Sequence, residues 1–313
     1  MMWTTLGIVL HYYREKYDFS QAEICRGICS VATLSRVEAG EREIDSLTGE
    51  LLLGRIGKEI TQFELMLNED DYGMWILREE ICKAVQKKDY ENAKQRIWQY
   101  RTQLTADQKL HHQFCEYYEV KIAIALQEKE EKICALAYEA LKRTKPQFDI
   151  SNRERQLYTP FEVELILILI QNGNFKAAEQ PIDRLEVLLS YVETYYTGQK
   201  REKLSIEILL ELIRQNERNE SCGDAIKYVD KALLFLSESR SMEHVAELYY
   251  RKAMAVRKKY GKAAEWDEVC KRECKLAYFA ARMGKDDELT DKVLRYCKET
   301  LEWQITEQEI LFV

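Results

Sequence analysis

Between Ser30 and Arg42 the chain reads SVATLSRVEAGER, a run whose side chains carry the chemistry needed to read a base-pair edge. The guanidinium of Arg36 can make a two-pronged hydrogen bond with guanine. The hydroxyl of Ser35 can pair with a base edge or a phosphate, and the methyl groups of Ala32 and Val31 can touch the methyl of thymine. The same spacing also fits an ordinary amphipathic helix closed by Gly40. The elements around the run decide between the two.

Catalytic chemistry is not visible elsewhere in the chain. There are four histidines, His11, His111, His112 and His244. The HHQFC run (His111–Cys115) offers a fragment of a metal site that no second cluster completes, so two surface histidines and a packed cysteine are expected. Cys25/Cys29 and Cys270/Cys274 stand four apart, which sets both thiols on one helix face and differs from the C-x-x-C of redox and zinc motifs. There is no phosphate-binding glycine loop, no G-x-S-x-G and no H-E-x-x-H. We expect neither enzyme activity nor a cofactor.

Composition points to an all-α protein. Only three prolines and twelve glycines interrupt 313 residues rich in Leu, Glu, Lys, Ala and Ile. With 46% hydrophobic and 32% charged residues the chain should fold rather than stay disordered. The longest apolar run, LILILI (Leu165–Ile170), is too short to span a bilayer, and no secretion signal is visible. The nine cysteines sit mostly among apolar helical neighbours, which fits reduced thiols in a cytoplasm. A net charge of −7 argues against wholesale polyanion binding but allows a local DNA-binding face.

Residues 1–66 read as a bundle of short helices. Leu6, Leu10 and Tyr13 share one face of the first helix, over about Leu6–Tyr17. Ser20 and Glu23 form a capping box for the second, whose inner face carries Ile24, Cys25 and Ile28. Gly27-Ile28-Cys29-Ser30 makes a turn, with Ser30 as the next N-cap. Leu34 and Val37 then face the core. Leu47, Leu51, Leu52 and Ile56 continue into a fourth helix, and GKEITQFEL closes the bundle. Two short helices across a tight turn, the second presenting small polar residues, is helix-turn-helix architecture.

Residues 67–313 change to long amphipathic helices in pairs. KKDYENA, EEKICALA, NGNFKAAE, ESCGDAIKY and AAEWDEVC each read as a turn and the start of a second helix. Aligning them puts Ala93, Ala135, Ala178, Ala225 and Val269 in one register, at spacings of 42, 43, 47 and 44 residues. A recurring period of this kind marks a stacked helical array longer in pitch than a tetratricopeptide. Small residues at the register would let paired helices approach closely, with Val269 the exception. Thr159, Pro160 and Glu162 write an explicit helix start. Pro146 with SNRER, and TGQKREK (residues 197–203), read as connectors.

The segment FSQAEICRGICSVATLSRVEAGER resembles the XRE-type helix-turn-helix family. Ser20-Gln21 and Leu34-Ser35-Arg36-Val37-Glu38-x-Gly40 match its signature. The turn through RGICS is one residue shorter than the common form, a variant similar to that of the RRNPP group of Rgg- and PlcR-like receptors for short signalling peptides. Those proteins join this domain to a tetratricopeptide-like array. The resemblance implies that Gln21 bonds phosphate and that Val31, Ala32, Thr33, Ser35, Arg36 and Arg42 belong to the DNA face. It implies also that Glu38 holds the recognition helix in place. A domain with seven Lys/Arg against ten Asp/Glu in residues 1–66 binds DNA weakly as a monomer. Double-stranded DNA with a palindromic operator and a homodimer are therefore the expected partners, with a modest salt dependence.

Polar residues inside apolar helices mark where a peptide would lie. Glu164 and Gln171 share one helix face. Lys203, Glu207, Glu211 and Arg214 form a stripe, and Tyr117, Tyr118 and Lys121 are further candidates. A solvated charge stripe is the plain alternative. If first helices line a concave face, these groups hold a peptide's backbone and ends. The expectation is thus an all-α transcription regulator, with a helix-turn-helix bundle in 1–66 and a peptide-sensing, dimerising array in 67–313. Two rivals stand beside it: a repressor without a peptide ligand, and a helical-repeat interaction scaffold.

Overall fold

A computed structural model describes residues 5–58, 69–146, 157–173 and 180–305, which form fifteen α-helices and no strand. The expected closing segment GKEITQFEL lies almost entirely outside the described residues, as do the 66/67 boundary, SNRER and Ala178. Two compact units divide the chain, residues 1–204 and residues 205–313.

The first unit opens with α1 (Thr5–Lys16), α2 (Gln21–Cys25), α3 (Val31–Glu38) and α4 (Ser46–Arg55). Their starts are written locally. Ser20 and Glu23 complete the capping box, Ser30 accepts from the Thr33 amide, and Asp45 accepts from the Thr48 amide. Leu10, Ile24, Leu34, Leu47, Leu52 and Ile56 are fully buried. Each such side chain contributes about 1.5–3 kcal/mol. This is the expected helix-turn-helix core.

Six further helices complete the unit in consecutive packing: α5 (Glu69–Gln86), α6 (Tyr90–Arg101), α7 (Lys109–Ala125), α8 (Glu130–Lys142), α9 (Pro160–Gln171) and α10 (Pro181–Tyr195). The α9 start is as the sequence reads: Thr159 Oγ1 accepts from the Glu162 amide at 3.2 Å, and Glu162 accepts from the Thr159 amide at 2.7 Å. Thr159 is wholly buried. Thr159→Ala should therefore cost about 0.5–2 kcal/mol in chemical denaturation, and Thr159→Ser much less. Equal losses for the two substitutions would show that the cap is not what Thr159 supplies.

The second unit receives α11 (Gly198–Arg218) at Ser205 and contains α12 (Cys222–Ser239), α13 (Val245–Tyr260), α14 (Ala264–Gly284) and α15 (Asp287–Thr300). Its core gathers Ala253, Val256, Cys270, Cys274, Ala277, Val293 and Cys297. Helices α6 to α14 run from 12 to 21 residues, which accounts for the long period.

Several expectations need correction. TGQKREK is not a connector: its residues from Gly198 onward form the first turns of α11, because Gln, Lys, Arg and Glu are good helix formers whatever their polarity. The small-residue register holds for Ala93 and Ala225, both fully buried, but Ala135 is exposed and Val269 only half-buried. Ala93 and Ala225 are fourth in their helices, whereas Ala135 and Val269 are sixth. Two residues turn a side chain by about 200°, to the opposite face. In α8 the fourth residue, Ile133, is buried, as is Cys134 after it.

Candidate functional site

The third helix presents the face that the sequence assigns to it. Leu34, Val37 and Glu38 are buried, while Val31, Ala32, Ser35 and Arg36 are exposed. Thr33 is half-buried and its hydroxyl shares a 2.8 Å hydrogen bond with Ser30 Oγ, so it serves the cap in this state. Arg42 is exposed between α3 and α4, and Arg26 is exposed in the turn. The formal acidity of residues 1–66 thus overstates what this face shows: three arginines are exposed here, while Glu38 is buried and neutralised. Glu41 and Glu43, also exposed, flank Arg42.

Glu38 braces the helix from behind. Its carboxylate accepts from Arg14 Nε at 2.8 Å, from Arg14 Nη2 at 3.1 Å and from Gln21 Nε2 at 2.9 Å. Burial works against the charge, but the bonds from Arg14 and Gln21 outweigh it and hold the carboxyl below its usual range. Gln21, expected on phosphate, here ties the start of α2 to the end of α3.

The turn between α2 and α3 is anchored to the repeat helices of the same unit. Gly27 has φ +76°, and a Cβ there would lie 2.0 Å from the Thr144 carbonyl oxygen. Arg55, 1% exposed, donates from Nη1 to the carbonyls of Ile24 (2.8 Å) and Arg26 (2.5 Å). Its Nη2 donates to Glu162 Oε1 at 3.1 Å. Glu162 is wholly buried in the first turn of α9. Burial opposes its charge, but Lys145 and Arg55 outweigh burial and keep it ionised. The Lys145 ammonium is pushed down to about 8 by burial, with Glu162 opposing. Tyr191 donates to the Arg55 carbonyl at 2.5 Å, and Gly57 (φ +68°) lies where a Cβ would strike the Tyr195 carbonyl at 1.8 Å. Sequence reasoning missed this junction. Its one signal was an arginine inside the apolar run LLLGRIG.

A second tie corrects the histidine expectation. His111 is buried, not a surface residue: it bonds the Tyr100 hydroxyl at 2.5 Å and lies 3.3 Å from Asp45. Burial pushes the Asp45 carboxyl up, but hydrogen bonds from His111 and Thr48 bring it down to about 2. A carboxyl depressed on folding stabilises the fold above its unfolded value near 3.9, and that stability fades as pH falls through about 2. Asp45→Asn keeps the cap. The wild type should therefore be more stable than this variant at pH 5, and the gap should shrink toward pH 2.5 in thermal melts. A gap independent of pH overturns the assignment.

Within the first unit, first helices of successive pairs bring polar groups together. Glu164 of α9 is buried and accepts from the Tyr117 hydroxyl (2.5 Å) and Lys121 Nζ (2.7 Å) of α7. Lys203, in the first turns of α11, lies 3.6 Å from its other oxygen. Burial raises the carboxyl, but Lys121 and Lys203 outweigh this and lower it. Tyr118 is half-buried against Cys82, with oxygen and sulfur 2.9 Å apart. Gln171 is exposed at the end of α9. The part of the α11 stripe that lies in the second unit is not a solvated face, whereas Lys203 before it is exposed. Glu211 is fully buried and accepts from Arg214 at 2.9 Å and Gln215 at 2.8 Å, while Glu207 and Arg214 are half-buried.

Among the described residues no helix is long and apolar enough to cross a membrane, and no group of three or more His, Cys, Asp or Glu is placed to hold a metal ion. A capped helix-turn-helix bundle followed by a tetratricopeptide-like array of helix pairs defines the class of fold. The same fold is found in PlcR of Bacillus thuringiensis. Its crystal structure in complex with the peptide PapR7 and DNA has a TM-score of 0.51 and 18% identity, covering 92% of this chain and 98% of that one. Its apo form has a TM-score of 0.52 and 16% identity over 93% and 98%. The apo competence regulator ComR from Streptococcus vestibularis is similar at a TM-score of 0.47 and 16% identity over 95% and 98%. No protein-family model matches the chain, and no curated protein matches it in sequence.

Proposed function

We propose that this chain is a cytoplasmic, homodimeric, sequence-specific DNA-binding transcription regulator of the RRNPP group, controlled by a short signalling peptide as in quorum sensing. Residues 1–66 read a palindromic operator, and residues 67–313 sense the peptide and dimerise. The observation that carries the reading is the exposed Val31, Ala32, Ser35 and Arg36 face on a helix buried behind by Leu34, Val37 and Glu38. Support also comes from likeness over nearly its whole length to PlcR, a protein solved with a peptide and DNA. Tyr117, Lys121, Glu164 and Lys203 supply the donors and acceptor that an extended peptide needs for its main chain. Peptide binding shifts the paired readers only if it favours one of their geometries over the other.

The test is selection of genomic fragments by the purified protein at moderate salt, with and without an extract of the producing culture. Enrichment of a palindrome that depends on a small, protease-sensitive component is the expected result. Enrichment indifferent to the extract removes the peptide from the reading. No enrichment in either condition removes the DNA.

A further inference from the structure

The two cysteines at the helix-turn-helix turn are arranged differently from a pair on one helix face. α2 ends at Cys25, and Cys29 lies beyond it in the turn, immediately before the α3 N-cap Ser30. The Cys29 amide donates to the Cys25 carbonyl at 3.0 Å. Backbone bond lengths on either side of that contact keep the two Cα atoms within about 7 Å of one another, which reaches the span of roughly 4.4–6.8 Å that a disulfide bridges. The intervening Arg26-Gly27-Ile28 is held by Arg55 on the carbonyls of Ile24 and Arg26 and by the close approach of Gly27 to Thr144. The turn that separates the two cysteines is thus held in place from both sides.

The Cys25 thiol is lowered to about 7, first by the hydrogen bond from Cys29, with burial opposing and Arg55 and Arg26 assisting; Cys29, the donor, is raised. Cys29 is half-buried, so solvent reaches it, whereas Cys25 is buried beneath.

We propose that Cys25 and Cys29 are a reversible oxidation site for hydroperoxides, closing to an intramolecular disulfide across the turn. Cys29, the thiol that solvent reaches, gives up its proton and its sulfur attacks one peroxide oxygen; the S–O bond forms, the O–O bond breaks, and the departing hydroxide takes up a proton to leave as water. The Cys25 sulfur then attacks the Cys29 sulfenic acid. The S–S bond forms, the S–O bond breaks, and the hydroxide takes the Cys25 proton to leave as a second water. The sulfurs together lose the two electrons that the peroxide gains. Cys274 and Cys297 share the second unit's core, but both are fully buried there and provide an internal control.

The sequence offers a direct readout, because trypsin cleaves after Lys16, Arg26 and Arg36 and puts the two cysteines on separate peptides, 17–26 and 27–36. The full-length reduced protein is treated with hydrogen peroxide, its free thiols are alkylated in denaturant, and it is digested without reductant. The expected product is the two peptides joined, separating after dithiothreitol, with Cys274 and Cys297 still alkylated. Cys29→Ser abolishes the joined pair. Separately alkylated peptides at a peroxide dose that oxidises half-buried Cys82 or Cys222 overturn the proposal. So does accumulation of oxygen on one of the two sulfurs without the joined pair.

Discussion

Arg55→Met should lower the unfolding free energy by about 3–5 kcal/mol, the range for removing one member of a buried ion pair. The substitution keeps the aliphatic volume but leaves Glu162 buried with Lys145, 3.8 Å away, as the cation beside it among the described residues. It also strips a donor from the Ile24 and Arg26 carbonyls. The double variant Arg55→Met/Glu162→Gln should lose less than the sum of the single changes, with a coupling of roughly 0.5–3 kcal/mol. Urea titration followed by tryptophan fluorescence measures both quantities. A loss below about 1 kcal/mol, or strict additivity, would show that the pair does not hold the turn.

Arg36→Ala is expected to act on binding and not on folding, because the side chain is exposed. A bidentate arginine–guanine contact discriminates by about 1–3 kcal/mol, and a two-fold operator contains it twice. Affinity for the selected palindrome should thus fall by roughly 30-fold or more, with binding to shuffled DNA much less affected. Fluorescence anisotropy on the two duplexes gives the ratio. An unchanged ratio would remove Arg36 from the reading surface, whatever the array does.

What was legible in the sequence is what is local. Ser20 with Glu23, and Thr159 with Pro160 and Glu162, announce helix starts because both partners lie within four residues. The buried and exposed sides of α3 follow from one helical repeat. The family resemblance names Glu38 as a brace, and the structure supplies its partners in Arg14 and Gln21. Contacts distant in sequence were not legible. Arg55 and Glu162 are 107 residues apart, and nothing near Arg55 distinguishes it from a surface cation in a last turn except its apolar flanks. His111 was read as exposed because its partners, Asp45 and Tyr100, belong to other elements. The register of Ala135 failed for a different reason: the alignment followed small residues and set Ala135, sixth in α8, beside Ala93 and Ala225, each fourth in its helix.

The anchored turn bears on how the chain can be dissected. Recombination and fragment expression treat a DNA-reading bundle as an interchangeable head, to be cut off at the first gap after its last helix. A head severed here would carry Arg55 without Glu162, and Gly57 without the Tyr195 carbonyl against which its bare Cα rests. Its stump would be a buried arginine opened to water. Chimeras that preserve the head are therefore best made with α9 and α10 travelling alongside it, so that the inherited module is the bundle together with its mount.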